Sequence, residues 1–149
     1  MISVDTNILF PSLESSHLNH QKAKEFLMGL KSKQVIICEL VLIEIYQLVR
    51  NSTVCQRPLN AIEAIDLIQK LRTHPEWELV DYPGGMMNEV WGGAKERDFP
   101  RRRIFDLRLA SSLKHYGVKY FATVNVKDFQ GLNFDRVWNP FVESVGEDE

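Results

Sequence analysis

The chain has 149 residues, 44% of them hydrophobic and 26% charged, and a formal net charge of −2. This balance suits a globular domain with one core and excludes a polycation that coats nucleic acid over its whole surface. The longest apolar runs, such as Val35-Ile36-Ile37, fall far short of the ~18–20 residues of a membrane span.

The opening Met1-Ile2-Ser3-Val4-Asp5 lacks the basic and apolar pattern of a secretory leader, so a cytoplasmic location is expected. Ile2 to Asp5 reads as a short buried strand ending in a polar turn, after which Thr6 and Asn7 open the apolar stretch Ile8-Leu9-Phe10. From His17 to Leu30, Ala23, Phe26, Leu27 and Leu30 recur at helical spacing. His17 and His20 have no matching ligand pair and read as surface histidines. Gln34 to Cys38 is the second strand, with Cys38 as a core residue, and Leu40 to Arg50 is a buried helix. Cys38 and Cys55 are too few for a disulfide framework and too far apart for a metal-binding pair.

After a loop at Pro58, Ala61, Ile65, Ile68 and Leu71 or Arg72 carry another helical period, which Pro75 ends. Glu78 to Asp81 is the third strand. Paired glycines, Gly84-Gly85 and Gly92-Gly93, bracket a helix holding Met86, Met87, Val90 and Trp91, which suits either the core or a partner-binding groove. Ile104 to Tyr116 is a helix that Gly117 stops; Lys119 to Thr123 and a segment near Val137-Trp138 are the last strands. Strands alternating with helices predict a parallel sheet with helices on both faces. One domain spanning residues 1–149 is expected, with a frayed acidic tail over about 144–149.

Four acids lie beside apolar elements. Asp5 ends the first strand, where it suits a helix N-cap and a ligand site equally. Glu44 has Leu40, Val41 and Leu48 as helical neighbours, so its carboxylate needs a partner, a proton or a metal. Asp106 shares a face with Leu109, Ala110 and Leu113 near its helix start, with Arg103 one turn earlier as a structural partner. Asp128 follows the fourth strand, where an aspartate serves most often as a turn residue. Carboxylates gathered without a cation repel one another, and a divalent ion removes the conflict. All-oxygen ligands suit Mg²⁺ or Mn²⁺, whose chemistry is phosphodiester hydrolysis.

With these residues assembled, the chain resembles the PIN-domain nucleases, in particular the VapC-type toxins of prokaryotic toxin–antitoxin modules. The likeness runs through Val4-Asp5-Thr6-Asn7-Ile8-Leu9, Leu40-Val41-Leu42-Ile43-Glu44-Ile45-Tyr46, Arg103-Ile104-Phe105-Asp106-Leu107-Arg108-Leu109-Ala110 and Phe121-Ala122-Thr123-Val124-Asn125-Val126-Lys127-Asp128-Phe129. A similar ending, Val137-Trp138-Asn139-Pro140, completes it. The resemblance implies a three-layer α/β/α sandwich around a parallel sheet, RNA cleavage dependent on Mg²⁺ or Mn²⁺, a homodimer and a cognate antitoxin. It carries catalytic and metal-binding roles onto Asp5, Glu44, Asp106 and Asp128. Some relatives have an acid where this chain has Asn125, so Asp128 binds metal directly, through water, or not at all. Thr6 and Asn7 are expected to orient Asp5, and Thr123 and Asn125 to supply neutral oxygens. Arg101, Arg102 and Arg103 are candidates for contacts to RNA phosphates. Two rivals remain open: a non-catalytic PIN-like module that binds RNA or protein, and a phosphatase with Asp5 as nucleophile.

Overall fold

A computed structural model describes residues 1–31 and 33–142; the expected acidic tail over 144–149 lies outside the described residues. Five short strands, β1 (Ile2–Val4), β2 (Val35–Cys38), β3 (Trp77–Val80), β4 (Tyr120–Ala122) and β5 (Arg136–Trp138), form one sheet in the order β3-β2-β1-β4-β5. All neighbours are parallel, with Ile2 level with Val35 and Val4 level with Ala122. β1 and β2 are buried at every position. Burial at every position, including Ser3 between Ile2 and Val4, fits strands covered on both faces.

Seven helices flank the sheet among the described residues: α1 (Thr6–Leu13), α2 (His20–Met28), α3 (Glu39–Val49), α4 (Ala61–Arg72), α5 (Met86–Gly93), α6 (Arg103–His115) and α7 (Val126–Phe129). Right-handed crossovers dictate their sides. The chain first steps from β1 to β2 to β3, then returns across β1 to β4 and β5. Helices before and after the return therefore cover opposite faces. The packing follows suit: α1 meets α2 and α3, and α3 meets α4, whereas α6 meets α5 and α7. The result is the expected three-layer α/β/α sandwich. Val4, Ile8, Leu42, Ile45, Leu113, Phe121, Phe129 and Trp138 all belong to its buried apolar core.

Local signals set the helix ends. Asn60 and Glu63 close a reciprocal capping box at the start of α4. Gly117, at φ +88°, ends α6: its N–H donates to the Lys114 carbonyl and that of Val118 to Leu113, the Schellman pattern. In α5, the side of Gly93 that a Cβ would occupy faces Leu107 of α6 at 3.0 Å, so the two helices approach closely there.

Several elements depart from the sequence reading. The apolar stretch after β1 is a helix, because Asp5 caps it at once. The helix expected from His17 begins at His20. α4 buries Ala64 and Ile68 and leaves Ile62 and Ile65 exposed, so its apolar stripe is rotated from the one the spacing suggested. In α5, Met86 and Val90 are buried while Trp91 points to solvent. The single turn of α7, read as loop, is too short for a periodic signal.

Candidate metal and phosphodiester site

β1 is the strand at which the chain order reverses, with β2 on one side and β4 on the other. A crevice opens beyond the carboxyl ends of strands at such a point. Asp5 follows β1 and Thr123 follows β4, so the sequence delivers both to that crevice.

Asp5 is 8% exposed. One carboxylate oxygen accepts the Thr6 N–H at 2.8 Å, and the other accepts the Thr123 hydroxyl at 2.7 Å. It is thus the helix cap that one reading expected, and it also lines the cavity at this crevice. The Asn7 side-chain amide donates to Asp5 Oδ2 at 3.4 Å and to Thr123 Oγ1 at 3.3 Å, while its carbonyl oxygen accepts the Val124 N–H at 3.0 Å. The Asn125 N–H donates to Thr123 Oγ1 at 3.1 Å. Thr123 therefore spends its one proton on Asp5 and both lone pairs on Asn7 and Asn125. It orients Asp5 and has no lone pair left for an ion. Burial pushes the Asp5 carboxyl above its usual range against the pull of the Thr123 and Thr6 bonds, and the Asp128 charge adds to the rise.

Glu44 is solvent-accessible, contrary to the expected apolar face. α3 buries Val41, Leu42, Ile45 and Val49, and Glu44 lies just off that stripe, on the cavity wall with Leu48. The protein still crowds its carboxyl on the cavity side. Partial burial raises its pKa, the nearby Thr6 hydroxyl lowers it and Asp5 raises it again. Thr6 Oγ1 is buried without a partner within hydrogen-bond distance, at the same wall.

Asp106, half-buried near the start of α6, is pushed up to about 6 by burial and by the charges of Asp128, Asp5 and Glu44, with Arg103 pulling weakly the other way. The three acids on the wall come from the β1–α1 junction, α3 and α6, and their fields overlap. Asp128 stands apart: exposed on α7 and outside the cavity lining, it acts on Asp5 and Asp106 through its charge. Among the described residues, no three His, Cys, Asp or Glu side chains are arranged as placed to hold a metal ion.

The cavity measures about 460 Å³. Its lining is mixed: polar Asp5, Thr6, Asn7, Glu44, Asp106 and Asn125, and apolar Phe10, Pro11, Leu48, Val54, Phe105 and Leu109. His17 also lines it, so it is no ordinary surface histidine, and only its place in the turn between α1 and α2 could have signalled this. His20 instead donates from Nδ1 to the Pro11 carbonyl at 2.8 Å and ties α2 to α1. Arg101 and Arg102 are exposed ahead of α6, whereas Arg103 donates to the Gln130 carbonyl at 2.7 Å.

No family model matches the chain. It is, however, 44% identical to ribonuclease VapC24 of Mycobacterium tuberculosis over 141 residues, 94% of this chain and 97% of that protein. The chain belongs to the VapC ribonuclease family. Solved structures share its PIN-type fold at lower identity. FitAcB from Neisseria gonorrhoeae aligns with a TM-score of 0.65 at 18% identity, over 96% of this chain and 100% of that one. VapC20 of Mycobacterium tuberculosis, a sarcin-ricin loop cleaving toxin, aligns at 0.63 and 17%, over 81% and 87%. A toxin–antitoxin complex from Klebsiella pneumoniae aligns at 0.58 and 19%, over 94% and 98%. In this VapC-family chain all four resemblance motifs deliver a residue to the sheet's carboxyl end or its rim.

Proposed function

We propose that this VapC-family chain is an endoribonuclease dependent on Mg²⁺ or Mn²⁺ and the toxin of a toxin–antitoxin module. The observation that carries the proposal is the convergence of Asp5, Glu44 and Asp106 on one cavity, where each carboxyl has its proton affinity raised. Burial is the foremost cause of the rise and the charges of the neighbouring acids add to it, and a bound cation would offset both. The donor set is wholly oxygen, which fits a hard divalent ion. Mg²⁺ is held through one or two carboxylates plus waters, a number of ligands that these three acids can supply.

Asp5, fixed by Thr123 and Thr6, is the anchoring ligand, and Glu44 or Asp106 completes the direct set. Bound there, the cation supplies charge neutralisation for a phosphate and acidity to a water. Asn7 holds the Asp5–Thr123 pair in register, and Asn125 offers a neutral oxygen at the same wall. Glu44 and Asp106 orient water hydrogens in the cavity, and Asp128 adds negative potential from the rim. Both Asp5 oxygens are engaged in hydrogen bonds, which supports a ligand over the nucleophile that a phosphatase needs. Arg101 and Arg102 are free to meet RNA phosphates beyond the acids. The antitoxin complexes among the structural relatives support a protein inhibitor for this chain, and a homodimer belongs to the same reading.

The test is cleavage of RNA by purified protein. Activity is expected with Mg²⁺ or Mn²⁺, none with EDTA, and products carrying 5′-phosphate and 3′-hydroxyl ends. Cleavage that persists in EDTA or in Asp5→Asn overturns the metal reading. RNA binding without cleavage would favour the non-catalytic module. Light scattering reads the dimer.

A further inference from the structure

The cavity has two chemistries, and the proposed reaction uses only one. Beside the acids the lining has an apolar part that includes Phe105, 64% exposed, and Val54, 41% exposed. Phe105 immediately precedes Asp106, and it lines the cavity with Leu109 one turn further along α6. An aromatic ring left in water beside a phosphate-handling site is a stacking platform, since every nucleobase has a π-face.

His17 supplies direction on the same wall. Its Nδ1 accepts the Asn19 N–H at 3.0 Å, and its ring meets the edge of Phe10 with centroids 6.2 Å apart. A neutral imidazole whose Nδ1 accepts carries its proton on Nε2. The side chain is therefore braced as a fixed donor in the cavity lining. The volume of about 460 Å³ is that of a ligand pocket.

Resting on the ribonuclease reading, we propose that this wall is a base subsite: Phe105 stacks an unpaired nucleobase next to the scissile phosphate, and His17 Nε2–H donates to an acceptor on that base's edge. The phosphate faces the acids while the adjoining base turns to the apolar wall. Phe105 supplies affinity, and His17 supplies discrimination among bases.

The test is equilibrium binding in EDTA, without cleavage, of fluorescein-labelled strands made only of uridine, adenosine or cytidine, and of an abasic ribose-phosphate strand of equal length. Wild type is expected to bind the base-bearing strands about tenfold more tightly than the abasic one. Phe105→Ala should erase that preference, and Phe105→Tyr should keep it. His17→Ala should keep the preference for bases but bind the three base-bearing strands alike, where wild type separates them. Phe105 is exposed, so its loss leaves the core intact. An equal loss on all strands, or discrimination that survives His17→Ala, overturns the subsite. So does an altered oligomeric state of Phe105→Ala with base preference intact, which would assign the ring to a protein interface. No binding to any strand, joined to no RNA cleavage, would sink the ribonuclease reading itself; binding that ignores bases sinks only the subsite.

Discussion

Both ends of the sheet carry a cavity, built from the same strands, and they could hardly differ more in charge. At the amino ends a hollow of about 240 Å³ is lined by Met1, Ile2, Lys33, Gln34 and Tyr120, with no acid among them. There the backbone closes most of the gap: Ile2 N–H donates to the Gln34 carbonyl, and the Lys119 and Tyr120 N–H groups donate to Met1. At the carboxyl ends β1 and β4 feed turns and helix caps, so side chains fill the crevice. The acids that arrive there are costly to ionise. Raised proton affinities concentrated at one end, where the topology reverses, are what the proposed function rests on.

The sharpest way to break this contrast is one substitution at each end. Asp5→Asn removes charge with little change in volume and is expected to lower kcat/KM by about a thousandfold or more. Gln34→Ala, at the other end, should leave it within about twofold, as surface changes away from special features do. Comparable losses in a cleavage assay would erase the distinction between the ends.

Asp106→Asn comes next, with an expected loss of about a hundredfold. It also tests the pH behaviour. The Asp106 carboxyl in the metal-free protein is held near 6, above its ordinary 3.8. Activity should therefore rise with pH through that region as the proton leaves, and the residual activity of the variant should lack that limb. Stability should move oppositely. A carboxyl whose folded pKa is raised stabilises the fold fully below its ordinary value, and that contribution is lost as pH rises through about 6. Burial raises Asp5 and Glu44 in the same direction. In EDTA the melting temperature should fall from pH 4 to pH 7, and added Mg²⁺ should recover it. A melting temperature indifferent to both pH and Mg²⁺ would remove the electrostatic difference between the two ends.

How much of this was legible without coordinates depends on the kind of signal. The alternation of Ile2–Asp5, Gln34–Cys38 and the later strands with amphipathic stretches fixed the layer architecture, because long-range order in a parallel sheet follows from element order and handedness. The four acids stood out because each adjoined apolar residues. Glu44 misled in detail: three apolar neighbours implied burial, but a helix stripe is narrow, and one step of 100° carries a side chain to the cavity rim. Asn7 was expected to orient Asp5, but α7 and the bond from Thr123 to Asp5 were hidden for another reason. A single turn has no period, and a hydrogen bond spanning 118 positions has no local signature. His17 was missed on the same ground, since only the α1–α2 turn brings it to the cavity.

Thr123→Val tests whether that bond matters beyond packing. The hydroxyl is fully buried and donates to Asp5, so its loss should cost about tenfold in kcat or in Mn²⁺ affinity, as partners behind a ligand do. Thr123→Ser should restore most of it. Equal damage in both variants would point to the methyl group and the core, not to the orientation of Asp5.

The smallest effect is reserved for Asp128, where the contrast can be sharpened within the working end itself. Asp5 and Asp128 are both acids beyond strand ends, but one is buried and doubly bonded while the other is exposed on a single helical turn. If Asp128 acts through potential alone, Asp128→Asn should cost only about threefold in rate. It should also lower the acid limb of the pH profile, because its charge is the foremost of those that raise Asp106. Screening supplies the discriminating control: at high salt an exposed charge loses its reach, and variant and wild type should converge. A direct ligand behaves otherwise. Its removal would cost as much as that of Asp5, at every ionic strength, and would show in Mn²⁺ affinity before any RNA was added.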